Sequence, residues 1–259
     1  MAAFTVYFDA SGSDHDQPCL AVAGFVTDAN QWVEFERLWL ERLKVDGLSY
    51  FHAKEISRVL PERSKRDSLY IDLINIISGS GLRQFGCCIV NSALAAVITK
   101  QDRKDWYLTS YTIAARACAG QVRQWFQSWN ASSLPEFIFE CGDQGKGALT
   151  ALLEKDDFPR PIFKPKKDRV RNGFVERAAV PLQAADLLAF EFFDLVRKVE
   201  NDGHLLRIRP SYDALYKIPG EARLIRLKGM RDLHKFGTMD PDTIWFPDGP
   251  DDIPVPGLS

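Results

Sequence analysis

The stretch that decides the fold is Phe4-Thr5-Val6-Tyr7-Phe8-Asp9-Ala10-Ser11-Gly12. Phe4, Val6 and Phe8 alternate with Thr5, Tyr7 and Asp9, the two-residue period of a strand. The strand ends on an acid, Asp9, and the chain turns at Ala10-Ser11-Gly12-Ser13. Pro18 to Val26 follows after a short linker and is almost continuously apolar, through Cys19, Leu20, Ala21, Val22, Ala23, Phe25 and Val26. That pattern suits a strand covered on both faces, so the pair predicts a hairpin in the middle of a sheet.

Downstream, Val33, Phe35, Leu38, Leu40 and Leu43 interleave with charges and Gly47 follows, which predicts an amphipathic helix over 31–45. A second such helix covers 64–78, and 82–90 reads as a strand. The longest helical candidate is 104–129, with an apolar stripe from Trp106 to Phe126. Phe137-Ile138-Phe139-Glu140 is a short apolar strand that again ends on an acid. A helix at 147–154, a short strand at 161–163 and a helix at 182–199 complete the order β-β-α-α-β-α-β-α-β-α. No Pro/Gly/Ser-rich linker interrupts it, so a single α/β or α+β domain over 1–236 is expected. Residues 237–259 hold five prolines and five aspartates with no Lys or Arg, the composition of an extended tail.

The chain has 259 residues, 33 Lys and Arg against 35 Asp and Glu, and a net charge of −2. This length buries a core without disulfides or metal staples. Near-neutrality excludes an indiscriminate polycation that coats nucleic acid, but not a local basic groove. Two windows carry net +5. Residues 160–177 include Arg160, Lys164, Lys166, Lys167, Arg169, Arg171 and Arg177 against two acids, and 204–235 hold eight Lys and Arg against three. Interleaved aromatics such as Phe163, Phe174, Tyr212 and Tyr216 suit base stacking, while solvated helix and loop faces read the same way. Five cysteines without a Cys-x-x-Cys pair fit a reducing cytoplasm. The first residues run straight into a strand pattern and no apolar stretch reaches spanning length, so neither a signal peptide nor a membrane span is expected.

Three carboxylates stand where acids are costly. Asp9 and Glu140 close central strands, and functional groups in α/β sheets collect at such ends. Asp186 lies in Leu182-Gln183-Ala184-Ala185-Asp186-Leu187-Leu188-Ala189-Phe190, a helix apolar nearly all round, where a charge needs compensation. Gln183, three residues earlier, projects from about the same face. If the two strands are parallel neighbours with this helix across them, the three acids converge into an all-oxygen cluster suited to Mg²⁺ or Mn²⁺. Two such ions support phosphodiester hydrolysis. Each acid reads equally as an ordinary capping or salt-bridging residue, and spacing alone leaves both readings open.

In this order, the blocks Tyr7-Phe8-Asp9-Ala10-Ser11-Gly12, Ala21-Val22-Ala23-Gly24-Phe25-Val26, Phe51-His52-Ala53-Lys54-Glu55-Ile56, Phe139-Glu140-Cys141-Gly142-Asp143 and Leu182-Gln183-Ala184-Ala185-Asp186-Leu187-Leu188-Ala189 resemble the bacterial domain-of-unknown-function 3800 family. The resemblance spans about Phe4 to Glu191. It implies a ribonuclease-H-like α/β fold, a central mixed sheet flanked by helices with helical insertions, and metal-dependent nuclease activity linked to mobile elements or phage defence. By the same resemblance Asp9, Glu140 and Asp186 are the metal carboxylates. That family's motif carries a second acid after the first, where this chain has Ala10, so any contribution of that acid is missing here.

Around these acids, His52 is a candidate for proton transfer, and His52-x-x-Glu55 also suits a metal pair or a helix cap. Asp143, in the turn Glu140-Cys141-Gly142-Asp143-Gln144-Gly145, is a further candidate ligand. Ser11, Gln183, Lys164, Lys166 and Lys167 are the expected substrate contacts, with orientation of Asp186 as the alternative for Gln183. Cys141 with His52 as base is a weaker nucleophile hypothesis. Glu191 is rotated about 140° from Asp186 around the helix and suits a salt bridge instead. The expected activity is hydrolysis of RNA or DNA with Mg²⁺ or Mn²⁺; nucleic acid is the expected partner and a homodimer is allowed. The rivals are a noncatalytic nucleic-acid- or protein-binding module of the same fold, and a hydrolase of small phosphorylated substrates.

Overall fold

The computed structural model describes residues 3–14, 16–106, 108–142, 144–202 and 209–236. The tail at 237–259 and Asp143 lie outside the described residues.

Strands β1 (Phe4–Ser11) and β2 (Cys19–Asp28) form the expected antiparallel pair, with Asp9 opposite Ala23. Gly12 turns the chain out of β1 at φ +88°. A side chain there would also lie 2.6 Å from both the Cys19 carbonyl and the Phe193 ring, so only glycine fits. Helix α1 (Ala29–Val45) starts where the Asp28 carboxylate accepts from the Asn30 and Gln31 amides. A four-residue turn, α2 (Ile56–Val59), leads to α3 (Arg63–Gly79) and to β3 (Arg83–Val90), which pairs antiparallel with β2.

The single helix expected over 104–129 is two. After α4 (Asn91–Val97) come α5 (Lys100–Trp106) and α6 (Ser110–Ser128). The break is chemical: Thr109 caps α6 with a reciprocal bond to Thr112, a start signal that overrides the continuous apolar stripe. Strands β4 (Glu136–Glu140) and β5 (Ile162–Lys164) flank α7 (Lys146–Lys155). A hairpin of β6 (Arg169–Arg171) and β7 (Phe174–Glu176) forms its own small sheet. Helix α8 (Pro181–Asp202), α9 (Pro210–Tyr216), β8 (Gly220–Ile225) and α10 (Leu227–Phe236) close the described chain.

The main sheet runs β5-β4-β1-β2-β3-β8. Its heart is the antiparallel meander β1-β2-β3, continued beyond β1 by β4 and β5, both parallel to it. The result is the expected α/β architecture, a central mixed sheet flanked by helices with helical insertions. Alternation along β1 sorts the two layers. Phe4 packs on Phe126 of α6 and Phe8 stacks on Phe139, whereas Tyr7 meets Trp32 of α1 on the opposite face. Asp9 shares the face of Tyr7, the one crossed by α8.

Helix α8 opens with Pro181, harmless at a first position, and contains no later Pro or Gly. Leu182, Ala184, Ala185, Leu187 and Ala189 are fully buried, as its nearly continuous apolar sequence predicts. All five cysteines are buried free thiols, and burial pushes Cys87 up to about 12, consistent with core packing and not with reactivity. Among the described residues no helix is long and apolar enough to cross a membrane.

Candidate functional site

Asp9 sits near the end of β1 with its side chain 2% exposed, and its Oδ1 accepts from the Ala10 amide at 2.8 Å. Parallel pairing of β1 with β4 runs to Phe8 opposite Phe139, so Glu140 follows beside Asp9 on the neighbouring strand. Alternation along β4 turns it to the same sheet face. Asp186, in the second turn of α8, comes down on that face with its side chain 7% exposed. The strands are the expected parallel neighbours with α8 across them, but only Asp9 and Asp186 are brought to a common partner; the contacts of Glu140 are with Cys141 and Gly142 instead.

The segment 49–55 is drawn in from the side. Asp186 Oδ1 lies 2.9 Å from His52 Nδ1, and Asp186 Oδ2 accepts from the Ala53 amide at 2.6 Å. Glu55 instead accepts from the Tyr50 hydroxyl, so His52 and Glu55 face different partners. Gln183 holds this segment. Its Oε1 accepts from Trp39 Nε1 at 3.0 Å and from the Phe51 amide at 2.8 Å, while its Nε2 donates to the Lys166 carbonyl at 2.9 Å. A buried amide with both ends engaged does not face a substrate, so the expected substrate contact at Gln183 is corrected to a clamp joining α1, the 51 segment and the 166 loop.

The centre of the cluster is a lysine. Lys166 Nζ lies 2.7 Å from Asp9 Oδ2 and 2.7 Å from Asp186 Oδ1, its side chain 16% exposed. The expectation that Lys166 contacts substrate places it on the surface of a basic run; the structure turns it inward, because two buried carboxylates need a cation. Burial pushes Asp186 up, but the His52 bond, the Lys166 charge and the Ala53 amide outweigh it and hold the carboxyl down, at about 2. Burial also works against charge on Lys166, yet Asp9 and Asp186 together raise its pKa above that of a free lysine.

The remaining candidates are arranged around this core. Glu140 accepts from the Gly142 amide, and the Cys141 thiol lies 3.6 Å from its Oε1. Burial, then the Glu140 charge, pushes that thiol up, which removes the basis for a Cys141 nucleophile. Lys146 donates to the Cys141 carbonyl. Ser11 closes β1 two residues past Asp9, on the same face. Lys164 and Lys167 are exposed, and Lys167 lies over the Tyr50 ring at 4.8 Å.

Among the described residues no three His, Cys, Asp or Glu side chains are arranged to hold a metal ion. Asp9 and Asp186 nevertheless converge on one cationic nitrogen, and carboxylate oxygens are the ligands that Mg²⁺ and Mn²⁺ prefer. The donor chemistry is that of a hard-cation site with two carboxylates, and Lys166 lies between them.

No protein-family model matches the chain, and no curated protein does. Solved structures that match include two ribonucleases H. One is Bst-RNase HIII in complex with Mn²⁺, at 11% identity and a TM-score of 0.43, covering 83% of this chain and 65% of that one. The other is RNase HII in its complex with PCNA from Archaeoglobus fulgidus, at 15% identity and a TM-score of 0.40, covering 83% of this chain and 87% of that one. The chain spans about two thirds of the length of Bst-RNase HIII. These likenesses concern the fold alone.

Two features of the site had no sequence signal: the Ala53 amide and the inward turn of Lys166. A third did. Asn172-Gly173, at φ 51° and 79°, is the tight turn of the β6-β7 hairpin, and an Asn-Gly pair between alternating residues announces such a turn. The basic window at 204–235 is used internally in part. Arg209 pairs with Glu191 and Asp194, Arg223 with Glu221, Arg226 with Glu200 and Lys217 with Asp213.

Proposed function

We propose that the chain is a divalent-metal-dependent phosphodiesterase acting on RNA or DNA, with Asp9 and Asp186 as metal-binding carboxylates. The observation that carries this reading is their convergence, from a strand end and a buried helix, on one cation 2.7 Å from each. Glu140, beside Asp9 on β4, completes the proposed ligand set, with Asp143 as a further candidate from sequence. Mg²⁺ or Mn²⁺, when bound, would activate the attacking water and stabilise the leaving oxygen.

The chain's own groups then have defined tasks. His52, 23% exposed and with Nδ1 engaged by Asp186, offers Nε2 for exchanging a proton with water or the leaving oxygen. Lys164 and Lys167 flank the acids as phosphate contacts, and Ser11 lines the same strand end. The β6-β7 hairpin leaves Val170 and Phe174 exposed, the latter 77%, beside this basic run. Phe174 is the proposed stacking platform for an unpaired base, and Phe174→Ala should weaken single-strand binding roughly tenfold. The motif resemblance extends the proposal to a role near mobile elements or in phage defence.

The test is cleavage of RNA, DNA and hybrid duplexes with Mg²⁺ or Mn²⁺, comparing wild type with Asp9→Ala and Asp186→Asn. Metal-dependent cleavage abolished by both changes supports the proposal. Binding without cleavage under either metal selects the second reading, a noncatalytic nucleic-acid-binding module. One observation favours that reading: Lys166 already balances the two carboxylates.

A further inference from the structure

We propose that Lys166 is a built-in counter-cation that holds Asp9 and Asp186 together in the metal-free protein, and that a divalent ion enters only by displacing its ammonium group. The inference rests on the metal-binding part of the function proposed above.

Two carboxylates with side chains 2% and 7% exposed do not share one polar pocket without a positive charge between them. Lys166 Nζ is 2.7 Å from an oxygen of each, and Asp186 Oδ1, which it contacts, also faces His52. An ion bound by the same two oxygens needs the space the ammonium fills, since metal–oxygen bonds of about 2.1 Å leave no room for a third atom there. Occupancy by lysine and by metal is therefore mutually exclusive.

The loop is built so that only the side chain has to move. The Lys166 carbonyl accepts from Gln183, and the Pro165 carbonyl accepts from the Ala179 amide at 2.8 Å. Asp168 closes the loop by accepting from the Ala178 amide and from Arg177. The backbone is pinned on both sides of Lys166, while its four-carbon stem is flexible and the side chain already reaches solvent. Metal affinity is then set by a competition, and removing the lysine should raise it.

Two measurements test this. In the first, Mn²⁺ binding is followed by electron paramagnetic resonance and calorimetry in wild type and Lys166→Met, with thermal melting of both in EDTA and in saturating Mn²⁺. Lys166→Met should bind Mn²⁺ at least about tenfold more tightly. It should melt below wild type in EDTA and recover in Mn²⁺. In the second, which needs no variant, wild-type protein is acylated with an amine reagent and the modified lysines are mapped by mass spectrometry. Lys166 should be protected in EDTA and labelled once Mn²⁺ is added.

Equal or weaker Mn²⁺ binding by Lys166→Met overturns the inference, as does protection of Lys166 that persists at saturating Mn²⁺. The two proposals fail separately. Metal-dependent cleavage with no effect of Lys166 on Mn²⁺ affinity leaves the nuclease standing and removes the competition. Tighter binding by Lys166→Met with no cleavage of any nucleic acid does the reverse.

Discussion

Asp186 and Glu191 lie five residues apart on α8, both buried, and burial acts on them with opposite outcomes. Asp186 receives His52, Lys166 and the Ala53 amide, and its pKa is held down. Glu191 lies 3.1 Å from Arg209 and near Ser211, but burial outweighs both and pushes its pKa up. Burial on a helix therefore does not set the charge of an acid; the number of aligned donors does. Three partners arriving from two other segments mark Asp186 as a built site, whereas Glu191 is a buried acid that its ion pair with Arg209 compensates only in part.

The sharpest break of this contrast is functional. Asp186→Asn should lower metal-dependent cleavage about a thousandfold, because metal assistance is worth several kcal/mol and each 1.4 kcal/mol is about tenfold. Glu191→Gln, on the far side of the same helix, should change it by less than about twofold. Initial rates of both variants against wild type decide the point, and comparable losses in the two would erase the distinction.

Next in size is the clamp that brings partners to Asp186 and not to Glu191. Gln183→Leu leaves the Trp39 indole N–H and the Phe51 amide without their acceptor and the Lys166 carbonyl without its donor. Unmet buried groups cost about 1–3 kcal/mol each, so with three of them the unfolding free energy should fall by about 3 kcal/mol or more in urea titration. A loss below about 0.5 kcal/mol would mean that the 51 and 166 segments are held by other contacts.

The elements around this contrast were legible to different degrees. The first three strands, β4, α1, α3 and α8 lie within a few residues of their expected spans, because their apolar period is strong and Gly, Pro or a change of period marks most of their ends. The break before α6 was hidden by the stripe that crosses it. Edge strand β8, Gly-Glu-Ala-Arg-Leu-Ile, is half polar, and α9 and α10 lie in a window whose charge drew the reading towards a solvated surface. In the site, Asp9 and Asp186 could be picked out as acids in costly places, since a carboxylate in an apolar run needs a reason. What holds them could not. Lys166 is one lysine among several in 160–177, and nothing local says that this one turns inward; only the long-range demand of two carboxylates does.

The contrast also has a pH signature. In metal-free buffer Asp186, lowered from 3.8 to about 2 in the folded chain, adds stability that is fully present above 3.8 and lost as pH falls through about 2. Lys166, His52 and Asp9 surround it, and Lys166 stays charged throughout that window. Wild type should therefore lose stability between about pH 4 and pH 2 more steeply than Asp186→Asn, as read from melting temperatures in EDTA. Parallel curves for the two proteins would show that the carboxyl is not held down.

Glu191 should give the smallest effect and the opposite sign. Its folded pKa is raised above the ordinary 4.5, so its contribution is most favourable below 4.5 and is lost as pH rises through the folded value. Losing this proton therefore costs the folded chain more than the unfolded one. Glu191→Gln keeps the shape, removes that charge and leaves Arg209 its second partner, Asp194. Its melting temperature should exceed that of wild type by a few degrees at pH 7, with the gain shrinking towards pH 4. A lower melting temperature at pH 7 would instead show that the Arg209 attraction outweighs desolvation, and the two acids of α8 would then differ only in the number of partners and not in sign.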